Sequence, residues 1–209
     1  MMKEKVLNTV KNNKSFIALF ICLAIFIVIL INVLNGKIAS FDNTIYNIIS
    51  SLKSNFATAF FKAVTKFADE EPLILIAIIG LILIKNRKIG ASIAVNLVSS
   101  AFVNNLIKEI VQRPRPPIEL RMVEESSFSF PSGHAMTSAT FYGLIIYFVI
   151  KNVKNKKLKN IICIILSLLI FLIGISRIYL GVHYASDVIA GMCFSIAYLI
   201  LTISIGIYK

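Results

Sequence analysis

The stretch FIALFICLAIFIVILINVL, residues 16–34, decides the fold class. A helix rises about 1.5 Å per residue and the hydrocarbon core of a bilayer is about 30 Å thick, so about 20 apolar residues make one crossing. The run is long for the apolar part of a signal peptide. Asn35-Gly36-Lys37 follows it with no small-x-small cleavage pattern, so it is expected to remain as a transmembrane helix.

Four further runs of this kind lie at 89–107, 134–150, 158–175 and 188–208, with a shorter one at 72–84. Hydrophobic residues make up 57% of the 209, and the mean hydropathy is +0.84, far above a soluble domain. The pattern predicts an all-α integral membrane bundle of six transmembrane helices. Its second member must borrow neighbouring residues or cross a thinned region. No Ser/Gly-rich linker or long polar insert divides the chain, so 1–209 reads as one domain. Cys22, Cys163 and Cys193 fall inside apolar runs, where thiols act as small hydrophobes; neither disulfides nor a cysteine metal site is expected.

The formal net charge of +12 raises nucleic acid as a partner, and the positions of the charges answer it. With a cytoplasmic N-terminus and six alternating spans, the inner segments hold four groups of basic residues. These are Lys3, Lys5, Lys11 and Lys14; Lys85, Arg87 and Lys88; Lys151, Lys154, Lys156, Lys157 and Lys159; and Lys209. Glu4 is the only acid among them. This is the positive-inside pattern, which orients both termini to the cytoplasm and accounts for the charge without nucleic acid. The loops after the first, third and fifth helices then face outward.

In the first outer segment, Phe41, Ile45, Ile48, Ile49 and Leu52, then Phe56, Phe60, Val64 and Phe67, are spaced for apolar helix faces. Lys53, Lys62 and Lys66 sit on or near the polar side. Short amphipathic helices lying on the outer leaflet are expected here, in an anchoring role. In the third run, Asn96, Ser100, Asn104 and Lys108 recur every four residues, a polar strip that should face other helices or a cavity.

Three clusters carry the chemistry, each at an outer helix end: Lys108 with Arg115-Pro116, then Pro131-Ser132-Gly133-His134, then Ser176-Arg177, His183 and Asp187. Ser132 suits an N-cap, and the free N–H groups of such a helix start form an anion site beside His134; taken alone, the tripeptide is more often ordinary capping than catalysis. His183 and Asp187, four apart, share a helix face, and a carboxylate on one imidazole nitrogen leaves the other as a lone-pair nucleophile. The bland counterpart is a pair that closes a helix end, but beside Arg177 at a membrane surface a functional pair is favoured. Lys108, Arg115 and Arg177 supply three cations for a phosphoryl group. The segment 113–117 also reads as a stiff polyproline loop with solvated charges, so residue chemistry alone leaves open whether Arg113 or Arg115 points inward.

Together, Lys followed by six residues and Arg-Pro, then Pro-Ser-Gly-His, then Ser-Arg with His and Asp at family spacing resemble the type 2 phosphatidic acid phosphatase family. The resemblance runs from Lys108 to Asp187, and the span count fits its six-helix membrane branch. It implies that His183 forms a phosphohistidine, that Asp187 orients it, and that His134 protonates the leaving oxygen. Lys108, Arg115, Ser132, Gly133 and Arg177 would hold phosphate, and family spacing selects Arg115 over Arg113. It also implies a metal-independent reaction with no cofactor, and no second cluster of Asp, Glu and His resembles a two-metal site. The expected partners are the bilayer and a lipid phosphate: phosphatidylglycerophosphate, undecaprenyl pyrophosphate or phosphatidic acid. A phosphotransferase would use the same residues, while a lipid-binding or transport protein would not need nucleophile, acid and three cations together. Nothing in the pattern sets an oligomeric state.

Overall fold

The computed structural model describes residues 13–83 and 86–207. Lys3, Glu4, Lys5, Lys11, Lys85 and Lys209, used in the charge argument, lie outside them, as do Ile84 and Tyr208 at the ends of two apolar runs. Every regular element among the described residues is helical. In chain order they are α1 (Asn13–Leu34), α2 (Ala39–Ser50), α3 (Asn55–Thr65), a 3₁₀ turn (Lys66–Ala68) and α4 (Glu70–Leu83). Then come α5 (Arg87–Val111), a second 3₁₀ turn (Ile118–Leu120), α6 (Gly133–Asn152), α7 (Lys156–Tyr179) and α8 (Ala185–Ser204).

Five helices, α1 and α5 to α8, are long and apolar enough to cross a membrane. The sixth expected helix is α4, whose 14 residues extend about 21 Å at 1.5 Å each, short of a full crossing. It forms a tight hairpin with α5, in which a Cβ on Gly90 would lie 2.9 Å from the Leu81 Cα and Arg87 Nη1 donates to the Leu81 carbonyl at 3.0 Å. The last apolar run stops being helical at Ser204, earlier than its hydrophobicity suggests. Gly206 takes φ 81°, and the Ile207 N–H turns back to the Thr202 carbonyl at 3.1 Å, closing the helix end.

Helix α6 is the hub, packed against α5, α7 and α8, while α1 covers α8 and α3 lies against α7. Ile93, Phe141, Leu144, Phe148 and Ile173 form the centre of this core. The polar strip of α5 faces inward as its period requires: Asn96, Ser100, Asn104 and Lys108 are all buried. Thr140 of α6 donates to Ser100 Oγ at 2.9 Å, and Asn104 Nδ2 to the Pro131 carbonyl at 3.2 Å. Phe102, Ile110 and Ile164 point outward and stay exposed, as lipid-facing residues do.

The two amphipathic helices do more than anchor. Ile45, Tyr46 and Ile49 of α2 pack on Ile178, Ala185 and Val188, and Ala57 and Phe61 of α3 pack on Tyr179, Leu180 and Val182. They roof the end of the bundle where the motif residues gather. Ile48, Leu52 and Phe56 remain exposed on the opposite side.

Candidate active site

The C-terminal ends of α5 and α7 and the N-terminal ends of α6 and α8 meet at one end of the bundle. This brings Lys108, Arg115, Ser132, Gly133, His134, Arg177, His183 and Asp187 together. The chain leaves α7 through a turn in which both Val182 and His183 donate their N–H to the Arg177 carbonyl at 3.2 Å. Gly181 takes φ 70° there, and a Cβ on it would lie 2.1 Å from the Leu120 carbonyl oxygen, so the turn closes against the 118–123 loop only with glycine. His183 emerges from this turn with its ring buried.

The partners of His183 fix its tautomer. Arg115 Nη1 lies 3.0 Å from Nε2, and a guanidinium donates without ever accepting, so Nε2 carries the lone pair. Nδ1 then bears the proton and faces Asp187 Oδ2 at 3.4 Å. Burial, the largest influence, pushes the ring's pKa down to about 3 against the opposing pull of Asp187, so the imidazole is neutral at pH 7. Asp187 is held as the orienting logic requires, with Oδ2 accepting from Ser129 Oγ at 2.5 Å and from the Tyr184 N–H at 3.0 Å.

The three cations converge on the 125–127 segment. Arg115 donates through Nε to the Ser127 carbonyl at 2.6 Å, through Nη1 to the Val182 carbonyl at 2.9 Å, and through Nη2 to Glu125 Oε2 at 3.2 Å and Ser127 Oγ at 3.1 Å. Lys108 Nζ donates to Ser127 Oγ at 2.8 Å. Arg177 donates to Thr65 Oγ1 at 2.7 Å and pairs with Glu125 Oε1; its buried Nε has no partner among the described residues. Burial pushes the Glu125 carboxyl pKa up, but Arg177 and Arg115 outweigh it and the net shift is downward. One carboxylate thus bridges both arginines, as two oxygens of a phosphate would.

Ser132 is fully buried: its Oγ caps α6 by accepting from the Ala135 N–H at 3.5 Å, and its own N–H donates to the Asp187 carbonyl at 3.1 Å. Gly133 sits where a Cβ would lie 3.2 Å from Asn104 Oδ1 and 3.9 Å from Lys108 Nζ, so its backbone closely approaches the lysine. His134 points the other way along the first turn, donating from Nε2 to Asp69 Oδ1 at 2.9 Å. That bond is the main reason the Asp69 carboxyl is held below its usual range. His134, Asp69, Lys108, Glu125 and Ser127 line a cavity of about 260 Å³. Arg115, bonded to Glu125 and Ser127 in its wall, is the link from there to His183.

The sequence model of the PAP2 superfamily matches residues 89–209, more than half of the chain. The chain belongs to the PAP2 superfamily.

Within the superfamily, 120 residues are 42% identical to phosphatidylglycerophosphatase B of Bacillus subtilis (strain 168), covering 56% of this chain and 59% of that protein. Over 132 residues the chain is 30% identical to an undecaprenyl-diphosphatase of Sulfolobus acidocaldarius, covering 61% of this chain and 60% of that protein. The matched segment thus spans about three fifths of these relatives' own length. The fold likeness is wider: the crystal structure of a transmembrane PAP2-type phosphatidylglycerolphosphate phosphatase from Bacillus subtilis superposes with a TM-score of 0.80 at 26% identity. That superposition covers 88% of this chain and 94% of that one. With five spanning-length apolar helices in this fold, the chain is a multi-pass membrane protein.

Several residues outside the PAP2 motif pattern are as deeply engaged as the motif itself. Arg113, which family spacing passes over, donates to Asp187 Oδ1 at 2.5 Å and to Asp42 Oδ2 at 2.7 Å. Asp42, on the helix read as a simple anchor, is buried; the lone acid among its apolar neighbours was the available signal. Asp69, Glu125, Ser127 and Ser129 come from turns and loops, where no periodicity marks an inward side chain.

Proposed function

We propose that this PAP2 chain is a metal-independent membrane phosphatase, which hydrolyses the phosphomonoester or pyrophosphate of a lipid through a phosphohistidine on His183. The observation that carries the reading is the Nε2 lone pair of a neutral, buried imidazole, presented beside Arg115 and Arg177. In the first step Nε2 forms a bond to phosphorus as the bond to the lipid oxygen breaks, and His134 gives that oxygen a proton. Asp187 holds the Nδ1 proton and stabilises the positive ring. In the second step water attacks phosphorus, the P–N bond breaks, His183 regains its lone pair, and His134 takes the water's proton. The three cations spread the negative charge of the transferred group, with the Gly133 backbone beside them.

The site would face the extracytoplasmic side. Lys151, Lys154, Lys156, Lys157 and Lys159 lie at the opposite end of α6 and α7, which supports a cytoplasmic assignment for that end. A substrate whose phosphate sits at headgroup level suits such a site. The relatives named for phosphatidylglycerophosphate and undecaprenyl diphosphate bracket mono- and diphosphate lipids.

The test is phosphate release by the purified protein from phosphatidylglycerophosphate, undecaprenyl pyrophosphate and phosphatidic acid, with and without EDTA. Release that persists in EDTA is expected. No release from any of the three, or activity lost in EDTA and restored by magnesium, overturns the reading. Transfer of the phosphate to an added alcohol in place of water would make the chain a phosphotransferase.

A further inference from the structure

Asp187 has two carboxylate oxygens, and Oδ2 is the one turned to His183 Nδ1. Torsion about a carboxylate's final bond is broad and nearly two-fold; Ser129 and the Tyr184 N–H hold Oδ2, and a hold on the other oxygen completes the fixing of that rotation. Arg113 Nη1 holds that other oxygen at 2.5 Å and also donates to Ser186 Oγ at 2.8 Å. The other arm of the fork, Nη2, donates to Asp42 Oδ2 at 2.7 Å, and the guanidinium carbon lies 4.1 Å from the centre of the Tyr184 ring. Asp42 in turn accepts from the Ser186 N–H and from Ser186 Oγ, both at 2.8 Å. An acid on α2 is therefore bonded both to the first turn of α8 and to the arginine that clamps Asp187.

We propose that Arg113 and Asp42 are positioning residues for the His183–Asp187 pair. The planar fork spans two carboxylates at once, which a lysine ammonium does not reproduce. Arg113 fixes the carboxylate's rotation, Asp42 fixes Arg113, and α2 becomes part of the apparatus that aims the nucleophile. Burial lowers the Arg113 pKa, but Asp187 and Asp42 outweigh it and raise it, so the clamp stays charged. The inference rests on His183 being the nucleophile.

The plain alternative is that Asp42 and Arg113 only staple α2 to the bundle. Both roles lower total activity when broken, so the discriminating readout is kcat per folded molecule, with the pH profile beside it. Besides Arg113 and Asp42, the charged and titratable groups around the pair are Lys108, Arg115, Arg177, Glu125 and Tyr184, and these stay constant across the variants. Removing a cation eases protonation of the pair, and removing an anion opposes it. Full-chain Arg113→Met, Arg113→Lys and Asp42→Asn would be assayed on a lipid phosphate for kcat, KM and the pH dependence of kcat/KM.

The expected result for Arg113→Met is a kcat lower by about 10²-fold at little-changed KM, the scale of a misplaced reacting group, with the acid limb moved to higher pH. Asp42→Asn should move that limb to lower pH. Arg113→Lys should keep the limb near its native position while kcat stays depressed, because charge is retained and the fork is lost. A stapling role lowers the amount of folded protein but leaves kcat per folded molecule native, even where the lost charge moves the limb. Acid limbs that coincide with the native one in both Arg113→Met and Asp42→Asn, or native kcat in either, overturn the inference. If Arg113→Met does not fold, Asp42→Asn and Arg113→Lys decide it by the same limb and kcat criteria. His183→Gln assayed alongside separates the two levels. Turnover in that variant removes the nucleophile assignment itself, whereas a dead His183→Gln beside native profiles in the others removes only the positioning role.

Discussion

Arg115 donates through Nη1 to His183 Nε2 at 3.0 Å, so an arginine covers the very nitrogen proposed to attack. A phosphorus atom arriving there must displace this bond. The guanidinium loses nothing by the exchange, because a phosphate oxygen is a stronger, charge-assisted acceptor than a neutral ring nitrogen. On the proposed mechanism, binding itself uncovers the nucleophile.

With histidine labelled by nitrogen-15, the His183 ring should remain in the Nδ1–H form from neutrality down to about pH 5, because its pKa is pushed to about 3 from an ordinary 6.5. The unfolded chain therefore takes up this proton first as pH falls. The stability the neutral ring contributes is complete above about pH 6.5 and is lost progressively towards pH 3, and His183→Gln should flatten that part of the stability profile. A ring that charges near pH 6.5 would contradict the buried environment.

The two histidines should separate by leaving group. His183→Ala removes the attacking atom and should abolish turnover on every substrate. His134→Ala removes proton donation, typically about 10²–10⁴-fold, and should be far milder on nitrophenyl phosphate, whose leaving group departs without a proton. Asp69→Asn, which weakens the hold on His134, should follow the same substrate pattern with smaller losses. Equal losses on both substrates in His134→Ala would reverse the assignment.

Glu125 bridges the two arginines proposed to hold phosphate, so on that reading substrate and carboxylate compete for the same donors. Vanadate, which adopts a five-coordinate geometry, should inhibit, and Glu125→Gln should bind it about tenfold more tightly, the scale of one charge-assisted hydrogen bond. Unchanged or weaker inhibition would mean that Glu125 stays in place when the anion binds.

A cysteine introduced in the 119–127 loop, with Cys22, Cys163 and Cys193 replaced, should react with an impermeant thiol reagent in intact cells, and one at 154–157 should not. The reverse pattern would put the site on the cytoplasmic face.

What was legible in the sequence was whatever repeats along a helix or stands at its end. The α5 strip of Asn96, Ser100, Asn104 and Lys108 faced inward because its four-residue period leaves it no other face. The positions of His134, Arg177 and Asp187 followed from apolar runs that begin or end beside them. Glu125 and Ser127 were not legible, because a loop has no period and its inward residues are chosen by what it crosses. Asp42 was hidden differently: the α2 pattern read as an anchor, and a single acid on such a helix looks solvated until α8 is packed over it. The shortness of α4 was visible in its apolar run, while the end of α8 turned on the backbone at Gly206 and not on hydrophobicity.

Lys108, His134, Arg177 and Asp187 each sit in the turn of their helix nearest the site, and this end sets the register of the whole bundle. A residue inserted in the middle of α7 pushes its halves apart by about 1.5 Å and twists them by about 100°. Arg177 keeps its grip on Glu125 and Thr65 only when the lysine-bearing end takes up all of that slack. The spans therefore act as rulers read from one end, and variation in their length belongs at the far tip, where the 153–155 connection carries no catalytic group.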